Sequence, residues 1–186
     1  MNEDNFNNFP ILKIEDITLS KLNFSDSDDM LEYTADKDVL RYLPEGASYS
    51  NKKQVHNLIK RVNQGFKNKE KIRWGIVLND KNKVIGDIGY NSIDRENNIG
   101  KISYRLSKDH WGQGIITKVL NKIISYSFNE MKLNRIEALT IDDNLASIRV
   151  LEKTGFIKEG TLREALNKNN RYYDLAIYSL LKNEAV

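Results

Sequence analysis

The sequence predicts an α/β domain with a mixed sheet, and three observations carry that expectation. Segments that alternate apolar and polar residues, clearest at Ile102, Tyr104 and Leu106 against Lys101, Ser103 and Arg105, alternate along the chain with segments whose apolar residues recur every three or four positions. In the second half a helical segment lies between two strand segments, which requires a crossover and hence at least one parallel strand pair. The 186 residues suffice for one domain with a sizeable core and are too few for two ordinary ones.

The elements follow in order. Residues 1–13 are rich in Asn and poor in pattern, and are expected to be a loose or edge-docked leader to a single domain over residues 14–183. A strand is expected at Asp16–Leu22. Met30, Leu31, Tyr33, Leu40 and Leu43 space one or two short helices between Ser25 and Leu43, ended before Pro44 because the residue preceding proline is pushed out of the helical region. Ser50 is the expected cap of a helix running to Phe66, with Val55, Leu58, Ile59 and Val62 on its apolar face. Strands are expected at Arg73–Leu78 and Lys83–Tyr90, joined by a turn at Asn79–Asn82, and at Ile99–Leu106. A helix over Ile115–Met131, a strand at Arg135–Ile141, a helix at Asn144–Thr154 and strands at Phe156–Leu162 and Tyr172–Leu181 complete the reading.

Composition removes several functional classes. The 29 basic and 26 acidic residues leave a net charge of only +3, and the run from Lys67 to Arg73 is too thin for a nucleic-acid stripe. No run approaches the roughly 20 apolar residues of a membrane helix, and the first residues lack the pattern of a signal peptide. There is no cysteine, which excludes disulfides, zinc-thiolate sites and thiol nucleophiles. A cytoplasmic protein without membrane, nucleic acid or metal is the expectation.

The chemistry concentrates in two segments. In SYRLSKDHWGQGIITKVL a strand leads through a short loop with two glycines into an apolar helix. Such a junction leaves the first helical amides unpaired and aims their partial positive charge outward. Gly112 and Gly114 can adopt positive φ, and the amides of Gln113, Gly114, Ile115, Ile116, Thr117 and Lys118 are placed to donate to a phosphate. The pattern is neither the GxGxxG fingerprint nor a P-loop. In DDNLASIRVLEKTGF, Asn144 stands where it can cap a helix, Ser147 lies three residues on, and Gly155 can end that helix in a left-handed turn. Taken without the first segment, the second is better read as an ordinary capped amphipathic helix with Leu145, Ile148 and Leu151 in the core.

Together the two segments resemble the GNAT acetyltransferases, and within them the branch of the ribosomal-protein alanine and serine N-terminal acetyltransferases. WGQGIIT is similar to the family's pyrophosphate loop and NLASIRVLEKTGF to its second cofactor segment. IGDIGY, FIKEGTLRE and RYYDLAIYSLL are similar to its flanking strands. The resemblance implies a mixed, mostly antiparallel sheet flanked by helices and splayed between the strand ending at Leu106 and the strand beginning near Arg135. It implies acetyl-coenzyme A as cosubstrate, with the pantetheine arm against the backbone of Tyr104, Arg105 and Leu106 and the pyrophosphate on Gln113–Lys118. Asn144 and Ser147 would flank the thioester end. The implied reaction is acetyl transfer to a primary amine, a protein or peptide N-terminus by branch. A small amine (polyamine, amino acid or aminoglycoside) and a non-catalytic acyl-coenzyme A sensor are the alternatives, in a monomer or a homodimer.

Three positions depart from the family pattern: Ile116 stands in place of a small residue, Lys101 in place of an acid, and Leu151 in place of a tyrosine that could protonate the leaving thiolate. The catalytic candidates are Ser147, as a hydrogen-bond partner of the departing sulfur, and Glu137, as a base if its alternation turns it into the cleft. Glu164 and Asp174 lie on segments expected to wall the acceptor side, either to orient an amine or to pair with Arg163 or Arg171; His56 is expected on the surface, and His110 either packs in the loop beside the glycine turn or touches a phosphate.

Overall fold

The computed structural model describes residues 6–185. The first half runs through β1 (Leu12–Ile14), β2 (Ile17–Lys21), α1 (Ser27–Thr34), α2 (Lys37–Leu40), α3 (Lys52–Lys67), β3 (Ile72–Leu78) and β4 (Lys83–Asp94). The second half holds β5 (Ile99–Leu106), α4 (Ile115–Asn129), β6 (Arg135–Ile141), α5 (Leu145–Lys153), β7 (Ile157–Lys168) and β8 (Arg171–Leu181). All eight strands share one sheet in the order β1-β2-β3-β4-β5-β6-β8-β7. Neighbours are antiparallel except β5 and β6, which are parallel because α4 carries the chain back across the sheet between them.

Two apolar layers cover the sheet. Ile116, Val119, Leu120, Ile123 and Phe128 of α4 pack with Trp74, Ile88, Ile102, Ile136 and Tyr178 of the strands, and α5 adds Leu151. A smaller core joins Met30 and Tyr33 of α1 to Val55, Leu58, Ile59 and Val62 of α3 and to Val84. The stripe expected on α3 is thus the buried one, and Ile116 is accommodated within the main core.

The structure decides one local expectation and corrects two. Of the two alternatives for the leader, the edge-docked one describes its later residues: Phe6 and Leu12 are buried and Leu12–Ile14 is an edge strand, while residues 1–5 lie outside the described residues. Pairing with β2 supplies the order that the Asn-rich sequence does not advertise. The cap of α3 is Asn51, whose side chain accepts from the Gln54 amide, and Ser50 instead donates its amide to Gln54 Oε1 at 2.7 Å. β7 extends to Lys168 rather than ending at Leu162. A register shift between Leu162 and Leu166 breaks the alternation that would have revealed the extension.

One polar cluster lies within the sheet. Asp87 of β4 is fully buried, directly across from Arg105 of β5, and accepts from Arg105 Nε at 3.0 Å and from Tyr33 Oη at 3.0 Å. Arg73 of β3 also donates to it, and reaches Asn91 and Ser103 besides. Burial alone would push the Asp87 carboxyl up, but the Arg105 and Arg73 guanidiniums and the hydrogen bonds from Arg73 and Tyr33 hold it below its ordinary value. A depressed folded-state pKa stabilises fully above the unfolded value, about 3.9, and the contribution is lost as pH falls through the folded pKa. Asp87→Asn leaves two buried guanidiniums without a counter-charge and is expected to cost about 3–5 kcal/mol in urea unfolding at pH 7. The difference from the wild type should shrink as the pH is taken below 4.

Candidate active site

β5 and β6 are paired over only four residue pairs, from Ile99↔Arg135 to Ile102↔Ala138. Beyond that point β5 continues to Leu106 on β4 alone, and β6 continues to Ile141 on β8 alone. The sheet therefore opens between Ser103–Leu106 and Leu139–Ile141. A β-bulge between Tyr90 and Ser92 of β4 lies across from Ile102 and Lys101, at the apex of this opening. Bulges bend the bulged strand and raise its twist, so β4, and with it the free half of β5 paired to it, changes course where the opening begins.

Because the two strands are parallel, their C-terminal ends lie at the same end of the sheet and their following loops converge there. After β5 the loop forms a short 3₁₀ turn at Lys108–His110, and the Trp111 indole donates to the Leu106 carbonyl at 2.9 Å, fastening the loop to the strand end. Gly112 and Gly114 follow with φ of 73° and 75°, and a Cβ on either would meet nothing within 4 Å. The glycines thus supply left-handed backbone and leave open space in front of the helix.

Among the described residues no side chain caps α4, and no acidic residue stands in its first turn. The Lys118 amide donates to the Gly114 carbonyl at 3.1 Å. This corrects the expected donor set: the i to i−4 bond closes the first turn at Lys118, so the helical amides available to an anion end at Thr117. The Lys118 ammonium is paired with Glu15 at 2.6 Å, and the Gln113 side chain donates to the Asp109 carbonyl. Among the polar features of this turn, the uncapped amides and the open space fit a diphosphate.

After β6, Asn144 caps α5 by accepting from the Ser147 amide at 3.2 Å. Ser147 in the first turn of α5 lies 2.7 Å from the Tyr104 hydroxyl on β5, so this hydrogen bond spans the opening. Burial pushes the Tyr104 phenol up to about 12, partly offset by the Ser147 hydrogen bond. A phenol so placed is protonated at neutral pH and can act as a donor. The sequence pointed to the Tyr104 backbone only; that its hydroxyl meets Ser147 depends on two elements 43 residues apart.

The remaining candidates distribute as follows. Glu137 lies opposite Lys101 in the stretch where β5 and β6 are still joined, 2.8 Å from Arg135 Nε and 3.8 Å from Lys101 Nζ, so its carboxylate is held in an ion-pair group at the closed end. Arg105 turns its side chain to Asp87 and to the Ala47 carbonyl. Leu151 is buried in the core. Glu164 sits in the register shift of β7 with φ of 53°, its amide donating to Asp174 Oδ1 at 2.8 Å. The His56 ring packs on Phe24 at 4.7 Å, and His110 closes the 3₁₀ turn. Among the described residues no group of three or more His, Cys, Asp or Glu could hold a metal ion, and no helix is long and apolar enough to cross a membrane. The Arg73–Asp87–Arg105 cluster went unnoticed in the sequence, where the only signal was a charged residue inside the apolar run of IGDIGY.

Residues 16–157 match the family described as the acetyltransferase (GNAT) domain. The chain is 34% identical over 173 residues to the uncharacterized N-acetyltransferase p20 of Bacillus licheniformis, covering 93% of this chain and 97% of that protein. It is 34% identical over 99 residues to the ribosomal-protein-serine acetyltransferase of Escherichia coli (strain K12), covering 53% of this chain and 55% of that one. The crystal structure of an acetyltransferase (GNAT family) from Bacillus anthracis superposes with a TM-score of 0.83 at 26% identity, over 94% of this chain and 100% of that one. The opened sheet, the uncapped helix at its mouth and these matches agree, and the chain belongs to the GNAT acetyltransferase family as an acetyl-coenzyme A-dependent N-acetyltransferase.

Proposed function

We propose that the chain acetylates the α-amine of a protein or peptide N-terminus by direct transfer in a ternary complex. The observation that carries the cofactor half of this reading is the uncapped N-terminus of α4 at the mouth of the opening between β5 and β6. Acetyl-coenzyme A supplies the acetyl thioester. The amides of Gln113, Gly114, Ile115, Ile116 and Thr117 receive its diphosphate, and the free half of β5 at Tyr104, Arg105 and Leu106 lies along the pantetheine path. Asn144 fixes the first turn of α5 and thereby Ser147. The Tyr104 hydroxyl, held by Ser147, is the group assigned to give a proton to the departing sulfur, taking the part for which Leu151 is unsuited.

Two lines support the acceptor. The chain is similar over half its length to a ribosomal-protein-serine acetyltransferase. An α-amino group titrates near ~7.7–8.0 and a lysine or polyamine ammonium near ~10.4, so at neutral pH far more of an N-terminal amine is already the free nucleophile. With Glu137 held in ion pairs at the closed end, an acceptor that needs little help in losing its proton suits the site.

Gly114→Glu is expected to abolish acetyl-coenzyme A binding in calorimetry while circular dichroism shows the fold retained, because it puts bulk and negative charge before the amides at a residue with φ of 75°. Tyr104→Phe is expected to lower kcat by about 100-fold, the usual contribution of a general acid, with the KM for acetyl-coenzyme A little changed. Ser147→Ala should show the same split more weakly. Peptides beginning with free Ser or Ala should be acetylated faster at pH 7.5 than spermidine or N-blocked peptides containing Lys. Mass spectrometry of the products locates the acetyl group, and its appearance solely on lysine or polyamine nitrogens would refute the N-terminal acceptor.

A further inference from the structure

The hairpin of β7 and β8 projects beyond the end of β6, because β8 pairs with β6 only from Leu175 to Leu181 and then runs back to Arg171 with β7 alone. Its tip reaches the other half of the molecule. Lys168 Nζ donates to the carbonyls of Leu40 at 2.6 Å and Arg41 at 2.8 Å, at the C-terminal end of α2. Beside it the Asn169 amide donates to Glu45 Oε1 at 2.6 Å. Carbonyls at a helix end are fitting partners for an ammonium, and the Leu40 carbonyl takes Lys168 as a second donor beside the Leu43 amide. The segment that follows α2 is tied in turn to β5, since Arg105 Nη1 donates to the Ala47 carbonyl at 3.3 Å.

These contacts close a ring of chain. From the apex at Ile102 and Ala138 it follows the free half of β5 to Arg105, passes through Ala47 and back along residues 47–40, crosses to Lys168, and returns through the hairpin and β6 to the apex. The ring borders the opening between β5 and β6, with the exposed Leu139 of β6 beside that opening. Two hydrogen-bonded junctions hold it, one at Arg105 and one at Lys168. The Arg105 junction is anchored by the buried Asp87. The Lys168 junction has no such anchor: its ammonium meets carbonyl oxygens, and burial pushes it below its ordinary pKa with Glu45 opposing.

We infer that Lys168 is a latch that holds the acceptor passage as a closed ring, so that an amine reaches the thioester only at the end of a slim, extended chain. The inference rests on the proposed N-terminal acceptor and sharpens it: the substrate class is a flexible, protruding N-terminal segment, not an amine lying flush on a folded surface. Lys168 acts through the position of the hairpin and is a positioning residue.

The test compares one folded carrier protein in two forms, each beginning with free Ser, one with a short flexible Gly/Ser segment before the fold and one without it. The wild type should acetylate the flexible form far faster. Lys168→Met should narrow that ratio by about tenfold, the size set by losing hydrogen bonds from a charged donor, with the KM for acetyl-coenzyme A unchanged. Lys168→Arg should restore the ratio. Amide hydrogen exchange should quicken in residues 165–172 and 41–47 of Lys168→Met while α4 and β5 keep their protection. Unchanged exchange, or quickened exchange with an unchanged ratio, overturns the latch. If neither carrier is acetylated on its α-amine, the N-terminal acceptor fails instead, and the latch is judged by the same exchange together with the rate ratio of spermidine to the bulkier kanamycin.

Discussion

The geometry of the site follows from the four residue pairs that join β5 to β6. Were that pairing continued to Leu106 and Ile141, the backbone of both strands would be spent on each other and the sheet would be closed. Because it stops at Ile102 and Ala138, each half keeps its own antiparallel partner, β4 on one side and β8 on the other, and neither half loses its ladder. The opening is thus created at the single parallel junction, where α4 must in any case leave one strand and deliver the chain to the next. The same crossover puts the start of α4 and the start of α5 at one end of the sheet.

An open seam through a sheet removes one neighbour from each bordering strand, and the polar cluster around Asp87 replaces part of that support for β5. Asp87 grips Arg105 from β4, Arg73 grips Ser103 from β3, and Tyr33 joins from α1. The cluster carries two guanidiniums and one carboxylate within the protein, an arrangement that is costly to desolvate and tolerable only when its donors are satisfied; among the described residues no buried side-chain polar atom lacks a partner. It stiffens the free half of β5, on which the cofactor path is proposed to lie, and through Ala47 it holds the segment after α2, one wall of the proposed acceptor side.

The two faces of the opening differ in chemistry. On the side of α4 and α5 lie the uncapped amides and the hydrogen-bonded Tyr104 and Ser147, groups suited to charge and to a proton. On the other side lie the hairpin, the segment after α2 and the exposed Leu139, the elements of the proposed acceptor passage. Under the proposed direct transfer, such a division lets the cofactor and the acceptor approach from different directions and meet in the gap.

Much of this was legible in the sequence. Period-two alternation placed β5, the apolar stripe placed α4, and the chemistry of glycine and of Asn caps marked both loops at the mouth; Gly112, Gly114 and Asn144 act as their residue types suggest, because turns and caps are decided by a few neighbouring residues. The family likeness in WGQGIIT and NLASIRVLEKTGF survived for the same reason. Other features arose only on folding. The amide of Lys118 is taken by Gly114, which depends on where the first helical turn closes. Glu137 faces an ion-pair group because the opening begins one residue beyond its partner stretch, and no alternation count reveals where two strands part. Tyr104 meets Ser147, Arg73 meets Asp87 and Lys168 meets Leu40 across separations of 43, 14 and 128 residues. Local pattern fixes which residues can turn, cap and alternate, whereas the pairing of side chains distant in sequence is set by strand order and register, which only the tertiary structure decided.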